Sequence, residues 1–276
     1  MSLGIAIKSP EGIVLAVESR ISVVYIAENG DRQLLTFDNA NKFITFNNPN
    51  YVGAITYGLG GINTVGGVRS AQSYMPAFEA TQPLGNQRIT TQQFAQRLSQ
   101  FFSARYNENA ALNENSGDME FTVAGYDLTE AYGKVFEFKI PSQPEPVEHH
   151  NGQGAFGMHW GGQEEIVTRL IKGHSIAIGN AINQAVPLNE ENLPALLDAL
   201  IPLEYPVSYP VLPLQDCVDL AIALINTTIV LQRVGAGEKG CGGAIDVATI
   251  TRSEGLTFVQ RKSIVGEPQL RRGNYA

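Results

Sequence analysis

The feature that most constrains the fold is a strand–turn–strand pattern at the start of the chain. Residues 3–8 alternate weakly between apolar and polar, residues 9–12 are turn formers, and residues 13–17 form a continuous apolar run. A short apolar run bounded by turn residues is typical of a strand buried on both faces. Because chain termini fray unless they are tied down, a strand that begins at residue 2 or 3 predicts an N-terminus held within a sheet.

Further strand and helix patterns occur in groups rather than in strict alternation. The predicted strands are 42–46 and 51–57 (a hairpin with its turn at 47–50), 120–124, 134–140, 244–251 and 256–261. The predicted helices are a glycine-led segment ending near residue 80, 91–106 capped by Thr90 or Thr91, 164–172 and 216–231. This grouping favours sheets between helix layers over regular βαβ units.

Two segments do not fit this compact pattern. A loop rich in Pro, His and Gly spans 141–154, and a stretch with six prolines spans 187–213. We interpret the second as a surface insertion around one short helix, either an inert excursion or a lid or interface. His149 and His150 lie in the first, where solvated side chains are a more common outcome than metal ligands. The whole chain, 1–276, is expected to form a single domain with these additions.

Composition excludes several classes of protein. The 276 residues carry a net charge of -8 and no run of Lys or Arg, which disfavours nucleic acid and anionic membrane surfaces. Two cysteines and four histidines, without ligand spacing, predict neither a disulfide framework nor a zinc site. Phosphate-binding loops and serine-hydrolase elbows are also missing from the sequence, so no cofactor is expected. With no apparent signal peptide or membrane span, we expect a cytoplasmic protein.

Ser2 is a candidate nucleophile. It directly follows Met1, and removal of Met1 would place a hydroxyl and a free α-amine on one residue. That amine has an ordinary pKa of about 7.7–8.0, so it can act as a general base for its own hydroxyl near neutral pH. Because many proteins begin with Met-Ser, the dipeptide alone is a weak signal.

Four blocks in order, at 4–20, 41–44, 52–58 and 242–251, resemble 20S proteasome-type alpha and beta subunits of the N-terminal nucleophile hydrolase superfamily. The resemblance covers most of the chain apart from the two unusual segments. It implies an α+β fold of the αββα type, a four-layer sandwich in which two antiparallel sheets lie between helix layers.

The resemblance also implies roles for particular residues. Ser2 matches the nucleophile, Glu18 an acidic residue after the second strand, and Lys42 the lysine that assists proton transfer. Gly58 matches the glycine whose N–H binds the oxyanion. Two alternatives remain open, since Lys42 can be an ordinary strand-end lysine and Gly58 can simply serve a turn.

Supporting positions depart from the family pattern. Arg20, Glu238 and Cys241 occupy them, with Glu238 and Cys241 replacing a family Asp and Ser. Trp160 lies where the family has another supporting Ser, and we interpret it as a core or interface aromatic. These changes concern rate and substrate preference more than the class of reaction.

Three functions follow as hypotheses. The first is a peptidase that uses Ser2, cleaves peptides or unfolded proteins inside a homo-oligomeric ring, and works with an ATPase unfoldase. The second is a non-catalytic structural subunit, and the third is an amidase that acts on small amides. Only the first and third require a free amine on Ser2.

Overall fold

A computed structural model describes residues 2–26, 31–46, 51–81, 88–114, 116–152, 154–186, 189, 192–237 and 239–266. The strands are β1 Leu3–Lys8, β2 Ile13–Glu18, β3 Ile21–Ile26, β4 Arg32–Phe37, β5 Phe43–Ile44, β6 Val52–Gly58, β7 Gly61–Thr64, β8 Gly67–Ser70, β9 Met119–Gly125, β10 Lys134–Ile140, β11 Gln143–His149, β12 Gly157–Gly162, β13 Ile245–Thr251 and β14 Gly255–Gln260. The α-helices are α1 Met75–Thr81, α2 Thr91–Asn107, α3 Ala110–Asn113, α4 Glu165–Lys172, α5 Ile178–Ala185, α6 Asn192–Leu200 and α7 Leu214–Val234.

The first strand lies inside a five-stranded antiparallel sheet with the order β12-β1-β2-β13-β14. Every residue of β1 and β2 is buried, which confirms the prediction from their apolar runs. Gly4 lies opposite Val17 on one side and opposite Gly161 on the other. The first strand therefore has a hydrogen-bonded partner along both edges, and this holds residue 2 in place.

A second five-stranded antiparallel sheet has the order β11-β10-β9-β6-β5. Its side chains alternate between two environments, as the two-residue period of a strand requires. Val52 and Ala54 of β6 join the apolar cluster that includes Leu98 of α2. Ile55 and Tyr57 of the same strand pack instead with side chains of the first sheet.

The other face of the first sheet packs against helices. Ile5 and Val14 belong to a cluster that also contains Val167 of α4 and Ala221 of α7. The protein therefore has a mixed α/β fold with antiparallel sheets and, within the residues described, seven α-helices. This agrees with the general fold class expected from the sequence.

Most predicted elements are present, and the helix at 91–106 begins as expected, with Thr90 as its N-cap in a capping box. Two predictions were incomplete. The glycine-rich segment after β6 forms the β7–β8 hairpin before α1 begins, and the predicted loop at 141–154 contains the strand β11. The predicted turn at 47–50 lies outside the described residues.

The proline-rich segment contains one α-helix, α6, and two short 3-10 turns at Ile201–Leu203 and Tyr209–Val211. No residue of α6 is buried, which fits the expected position at the surface. Large apolar side chains of the segment, including Ile201 and Val211, are exposed to solvent. Residues 187, 188, 190 and 191 are not among the residues that the structure describes.

Helix α7, Leu214–Val234, extends beyond the predicted helix at 216–231 at both ends. Within the part of the chain that is described, it is the one helix whose length and composition would allow a membrane crossing. One face of the helix is buried against β1, β2 and β13, while Leu231 and Val234 elsewhere on the helix are exposed. The residues at 216–231 are apolar almost all round and so predict a buried helix, but the structure buries one face only.

Candidate active site

Ser2 lies at the start of β1 and is buried. Its carbonyl oxygen accepts a hydrogen bond of 2.6 Å from the backbone N–H of Gln163, just beyond β12. Gly162 has a φ of +89°, and a Cβ there would collide with the Ser2 carbonyl oxygen. A residue without a side chain is thus required beside Ser2, and the neighbouring strand fixes the position of the candidate nucleophile.

Lys42 immediately precedes β5 and is buried beside Ser2. Its Nζ donates a hydrogen bond of 2.7 Å to Ser2 Oγ and a short one to Glu18 Oε1. Its carbonyl oxygen accepts from Thr56 N–H, which ties this segment to β6. Burial lowers the pKa of Lys42, and the nearby Glu18 carboxylate opposes that shift. The side chain does not extend to solvent, so the strand-end alternative does not describe it.

Glu18 is the last residue of β2 and has no exposed surface. Besides Lys42, its carboxylate accepts hydrogen bonds from the backbone N–H groups of Arg20 at 2.6 Å, Gly242 at 3.0 Å and Leu3 at 3.4 Å. A buried carboxylate needs such donors to offset the loss of its hydration. Glu18 therefore links three segments of the first sheet around Ser2 and orients the lysine.

Arg20 contacts Glu18 through its backbone N–H and does not contact Ser2. Its guanidinium binds Asp38 through Nε at 2.6 Å and through Nη2 at 2.9 Å, and it also donates to the Lys239 carbonyl oxygen. This pairing raises the pKa of Arg20 and lowers that of Asp38. Arg20 thus braces the Glu18 region without contacting Ser2. Asp38 had no recognisable signal in the sequence, because its role depends on a contact across 18 residues.

Cys241 is buried, and its backbone N–H donates to the side chain of Gln232 at 2.8 Å. Burial, with a further contribution from the Glu18 charge, raises the pKa of its thiol to about 12. The thiol is therefore kept protonated. Glu238, the other expected supporting residue near it, lies outside the described residues.

Gly58 ends β6 with a φ of +71°, a left-handed conformation that favours glycine. A Cβ there would lie 2.5 Å from the Asp118 carbonyl oxygen. A side chain at position 58 would therefore collide with the residues at the start of β9. The structure shows no hydrogen bond between Gly58 and Ser2. Its predicted oxyanion role stays a prediction.

Trp160 lies on β12, partly buried against the apolar cluster below the first sheet. Its Nε1 donates to Thr168 Oγ1 of α4 at 3.2 Å. This position agrees with the expected core role. A lysine that the sequence analysis did not consider, Lys262, also lies near the site, where its charge contributes to the lowered pKa of Lys42. It pairs with the buried Asp246, a contact that no spacing rule reveals.

No protein-family model and no curated protein sequence matches the chain. Solved structures do match in fold. An Anbu (ancestral beta-subunit) from Yersinia bercovieri aligns with a TM-score of 0.53 and 14% identity, over 98% of this chain and 92% of the other. The structure titled helical assembly of the Anbu complex, from Pseudomonas aeruginosa, gives 0.56 and 13%, over 98% and 91%. Anbu from Hyphomicrobium sp. strain MC1 gives 0.53 and 11%, over 99% and 96%.

These neighbours correct the family resemblance drawn from the sequence. The structures named above are Anbu proteins, which are proteasome-like relatives, and no 20S proteasome alpha or beta subunit of the N-terminal nucleophile hydrolases is among them. The assignment to the 20S subunits was therefore wrong. The four sequence blocks mostly cover the strands β1, β2, β6 and β13. At these identities the comparison shows the fold alone.

Proposed function

We propose that the chain is a hydrolase of amide bonds in peptides that uses Ser2 as an N-terminal nucleophile. The observation that carries this proposal is the buried contact of 2.7 Å between Lys42 Nζ and Ser2 Oγ, with Glu18 bound to the same ammonium group. Burying a Lys–Glu pair costs hydration free energy that a packed apolar pair would not lose. Such a pair directed at a serine hydroxyl is better explained by chemistry than by stability.

The first half of the reaction follows from these contacts. Removal of Met1 leaves a free α-amine on Ser2, which takes the hydroxyl proton as Oγ attacks the substrate carbonyl carbon. The Lys42 ammonium stabilises the negative charge that develops on Oγ, and Glu18 holds that ammonium in place. The new C–O bond forms a tetrahedral intermediate. Its collapse breaks the C–N bond, and the amine leaves with the proton that the α-amine carried.

The second half releases the acyl group. Water loses a proton to the α-amine and attacks the ester carbonyl carbon, and Ser2 Oγ leaves and regains that proton. Gly58 N–H, in this proposal, donates to the carbonyl oxygen in both intermediates. The reaction needs neither a metal ion nor an organic cofactor.

The proposed architecture is a single cytoplasmic domain of four layers, with α2 and α7 covering two stacked sheets. It is supported by the alternating side chains of β6 and by the packing of α7 on β1, β2 and β13. We also propose that copies of the chain assemble, which is supported by the similarity to a protein solved as a helical assembly. A closed ring around unfolded substrates, with an ATPase unfoldase, is a further part of this proposal.

A second candidate is a subunit of the same architecture that does not hydrolyse anything. The comparisons by themselves support this broader alternative better than peptidase activity, because they show a shared fold and no chemistry. An amidase for small molecules is the third possibility. The Ser2–Lys42–Glu18 contacts favour the two enzymatic functions.

Intact mass and turnover by the purified protein distinguish these functions. We expect a mass that lacks Met1, hydrolysis of fluorogenic peptides, and loss of at least about 100-fold in kcat/KM for Ser2→Ala. Ser73→Ala, which changes an exposed serine, should behave as the wild type. Equal peptide hydrolysis by Ser2→Ala would exclude the mechanism. Turnover of simple amides but not of peptides would favour the amidase.

A further inference from the structure

A second group of ionisable side chains, with one member buried and two partly buried, lies outside the Ser2 site. Glu137 of β10, His149 of β11 and His159 of β12 place their ligand atoms within 4.8 Å of one another. The group joins the two large sheets, because β10 and β11 belong to one sheet and β12 to the other. His149, predicted from the sequence to be a solvated loop residue, lies on an edge strand and faces this group.

The two imidazoles share one carboxylate. His149 Nε2 lies 3.2 Å from Glu137 Oε2, and His159 Nε2 lies 3.5 Å from Glu137 Oε1. The rings are stacked, with centroids 3.8 Å apart. Donor atoms bound tetrahedrally to one ion at about 2.1 Å lie roughly 3.4 Å apart, so the nitrogen–oxygen distances already suit a shared ion.

The donor set itself is specific. Two histidines and one carboxylate hold catalytic zinc in one group of enzymes and ferrous iron in another, in each case with a coordination position left open. Imidazole nitrogen suits zinc and the neighbouring transition metals better than it suits magnesium or calcium. Among the residues that the structure describes, this is the one group of three or more His, Cys, Asp or Glu side chains with such spacing.

The surroundings of Glu137 fix its position. Tyr57 Oη lies 3.4 Å from Glu137 Oε1 and 3.3 Å from His159 Nε2, and it also hydrogen-bonds Thr122. A buried hydroxyl that hydrogen-bonds a ligand carboxylate is the kind of outer partner that orients it, whereas the contact with His159 Nε2 is given up when that nitrogen binds an ion. Lys139 lies 3.5 Å from Glu137 Oε1, but Glu120 at 3.0 Å provides it with a separate carboxylate partner.

We propose that Glu137, His149 and His159 form a binding site for a divalent transition metal of the zinc class, which joins the two sheets at the edge marked by β11 and β12. Binding requires each histidine to carry its proton on Nδ1, so that the Nε2 lone pair faces the ion. It also requires the stacked rings to tilt apart, because an ion lies in the plane of each imidazole that binds it. This site is separate from Ser2 and does not depend on the proposed hydrolase activity.

The test titrates chelator-treated full-length protein with Co²⁺ and follows visible absorption, then displaces Co²⁺ with Zn²⁺. We expect one equivalent per chain, and at least about tenfold weaker binding for His149→Ala, His159→Ala and Glu137→Gln. The matched control is His174→Ala, since His174 lies outside the group and contacts Ser175. Binding that is undetectable in the wild type, or equal in all four variants, would overturn the proposal.

A measurement on the wild type alone tests the proposal even if the variants fail to fold. X-ray absorption at the zinc edge should show a first shell with two imidazole nitrogens and carboxylate oxygen at about 2.0–2.2 Å. Zn²⁺ should also raise the melting temperature of the wild type, because an ion bound only in the folded state stabilises it. A shell of oxygen alone would overturn the proposed ligand set.

Discussion

Lys42 Nζ lies 2.7 Å from Ser2 Oγ, and the same ammonium group binds the fully buried carboxylate of Glu18. One cation therefore connects the candidate nucleophile to an anion that three backbone N–H groups hold in position. The charge of Lys42 is kept next to the hydroxyl at a cost in hydration. This arrangement should affect both hydrolysis and the free energy of unfolding, and substitutions can measure the two effects separately.

The first prediction concerns Lys42→Met, which keeps the length of the side chain and removes its charge. We expect a loss of at least about 100-fold in kcat/KM, because the developing charge on Ser2 Oγ loses its cation. The free energy of unfolding should also fall by about 3 kcal/mol, since Glu18 is left as a buried charge without its ion-pair partner. Chemical denaturation and peptide hydrolysis measure the two effects.

The double variant Lys42→Met with Glu18→Gln provides the control. It removes the isolated charge, so part of the lost stability should return while activity stays low. Lys172→Met changes a lysine at the surface and should leave activity unchanged. If the double variant regained activity along with stability, Lys42 would have a purely structural role.

The second prediction is a bell-shaped dependence of kcat/KM on pH. The acid limb reports the Ser2 α-amine, which must be unprotonated to act as a base and ordinarily titrates at about 7.7–8.0. The alkaline limb reports Lys42, which must stay protonated. Because burial lowers the pKa of Lys42, activity should fall at a lower pH than for an ordinary lysine, whose pKa is 10.5.

The variant Glu18→Gln tests the assignment of the alkaline limb. The Glu18 charge raises the pKa of Lys42 against the effect of burial, so its removal should move the alkaline limb further toward neutral pH. An alkaline limb that stays at the same pH in this variant would assign it to another group. The profile is measured with one peptide substrate at constant ionic strength.

Local sequence patterns predicted the strands that carry the site, because the turn at residues 9–12 separates the weakly alternating β1 from the apolar run of β2. They did not predict β11, since Pro144 and Pro146 argue against a strand. The structure places β11 at the edge of its sheet, where a proline leaves no ladder hydrogen bond unmade. That edge position depends on the order of strands, which no local pattern contains.

The strand β12 was missed for a related reason. Gly157, Gly161 and Gly162 make the segment look like a loop, yet the glycines are required by neighbours distant in sequence. The ring of Tyr57 occupies the space that a Cβ of Gly161 would need, and the Ser2 carbonyl oxygen does the same at Gly162. For the site, Ser2 could be proposed from the residues alone. The pairing of Glu18 with Lys42 required a resemblance, because it spans 24 residues.

The third prediction concerns Gly58 and distinguishes the strain of its left-handed backbone from the collision of a side chain with Asp118. Gly58→Ala should lower the free energy of unfolding by at least about 1–3 kcal/mol, because the left-handed backbone disfavours a side chain and the Asp118 carbonyl oxygen blocks the Cβ. Alanine retains the backbone N–H, so if this N–H binds the oxyanion, kcat should fall only as far as the strained backbone displaces the donor. Gly154→Ala is a matched control with a φ of +73° and no atom closer than 3.9 Å to the Cβ.

Equal destabilisation by the two alanine substitutions would show that contact with Asp118 contributes nothing. Unchanged kcat in a folded Gly58→Ala protein would show that the added Cβ does not displace the N–H that the proposed mechanism uses. Both quantities come from the same two proteins, by denaturation and by hydrolysis of one peptide.

The last prediction concerns the two cysteines, which are both buried. Burial raises the pKa of Cys241 to about 12 and also raises that of Cys217. At pH 8 roughly one Cys241 thiol in ten thousand is then ionised, and the thiolate is the form that reacts. Native protein should therefore resist a thiol reagent such as dithionitrobenzoate, whereas two thiols per chain should react in denaturant.

The variant Cys217→Ser assigns the signal, because only Cys241 then remains to react in denaturant. We expect Cys241→Ser to retain peptide hydrolysis, since a protonated thiol that donates nothing to Ser2 has no part in the proposed reaction. Rapid labelling of native Cys241 would show that the thiol is accessible and ionised. Loss of hydrolysis on that labelling, together with activity in Ser2→Ala, would transfer the role of nucleophile from Ser2 to Cys241.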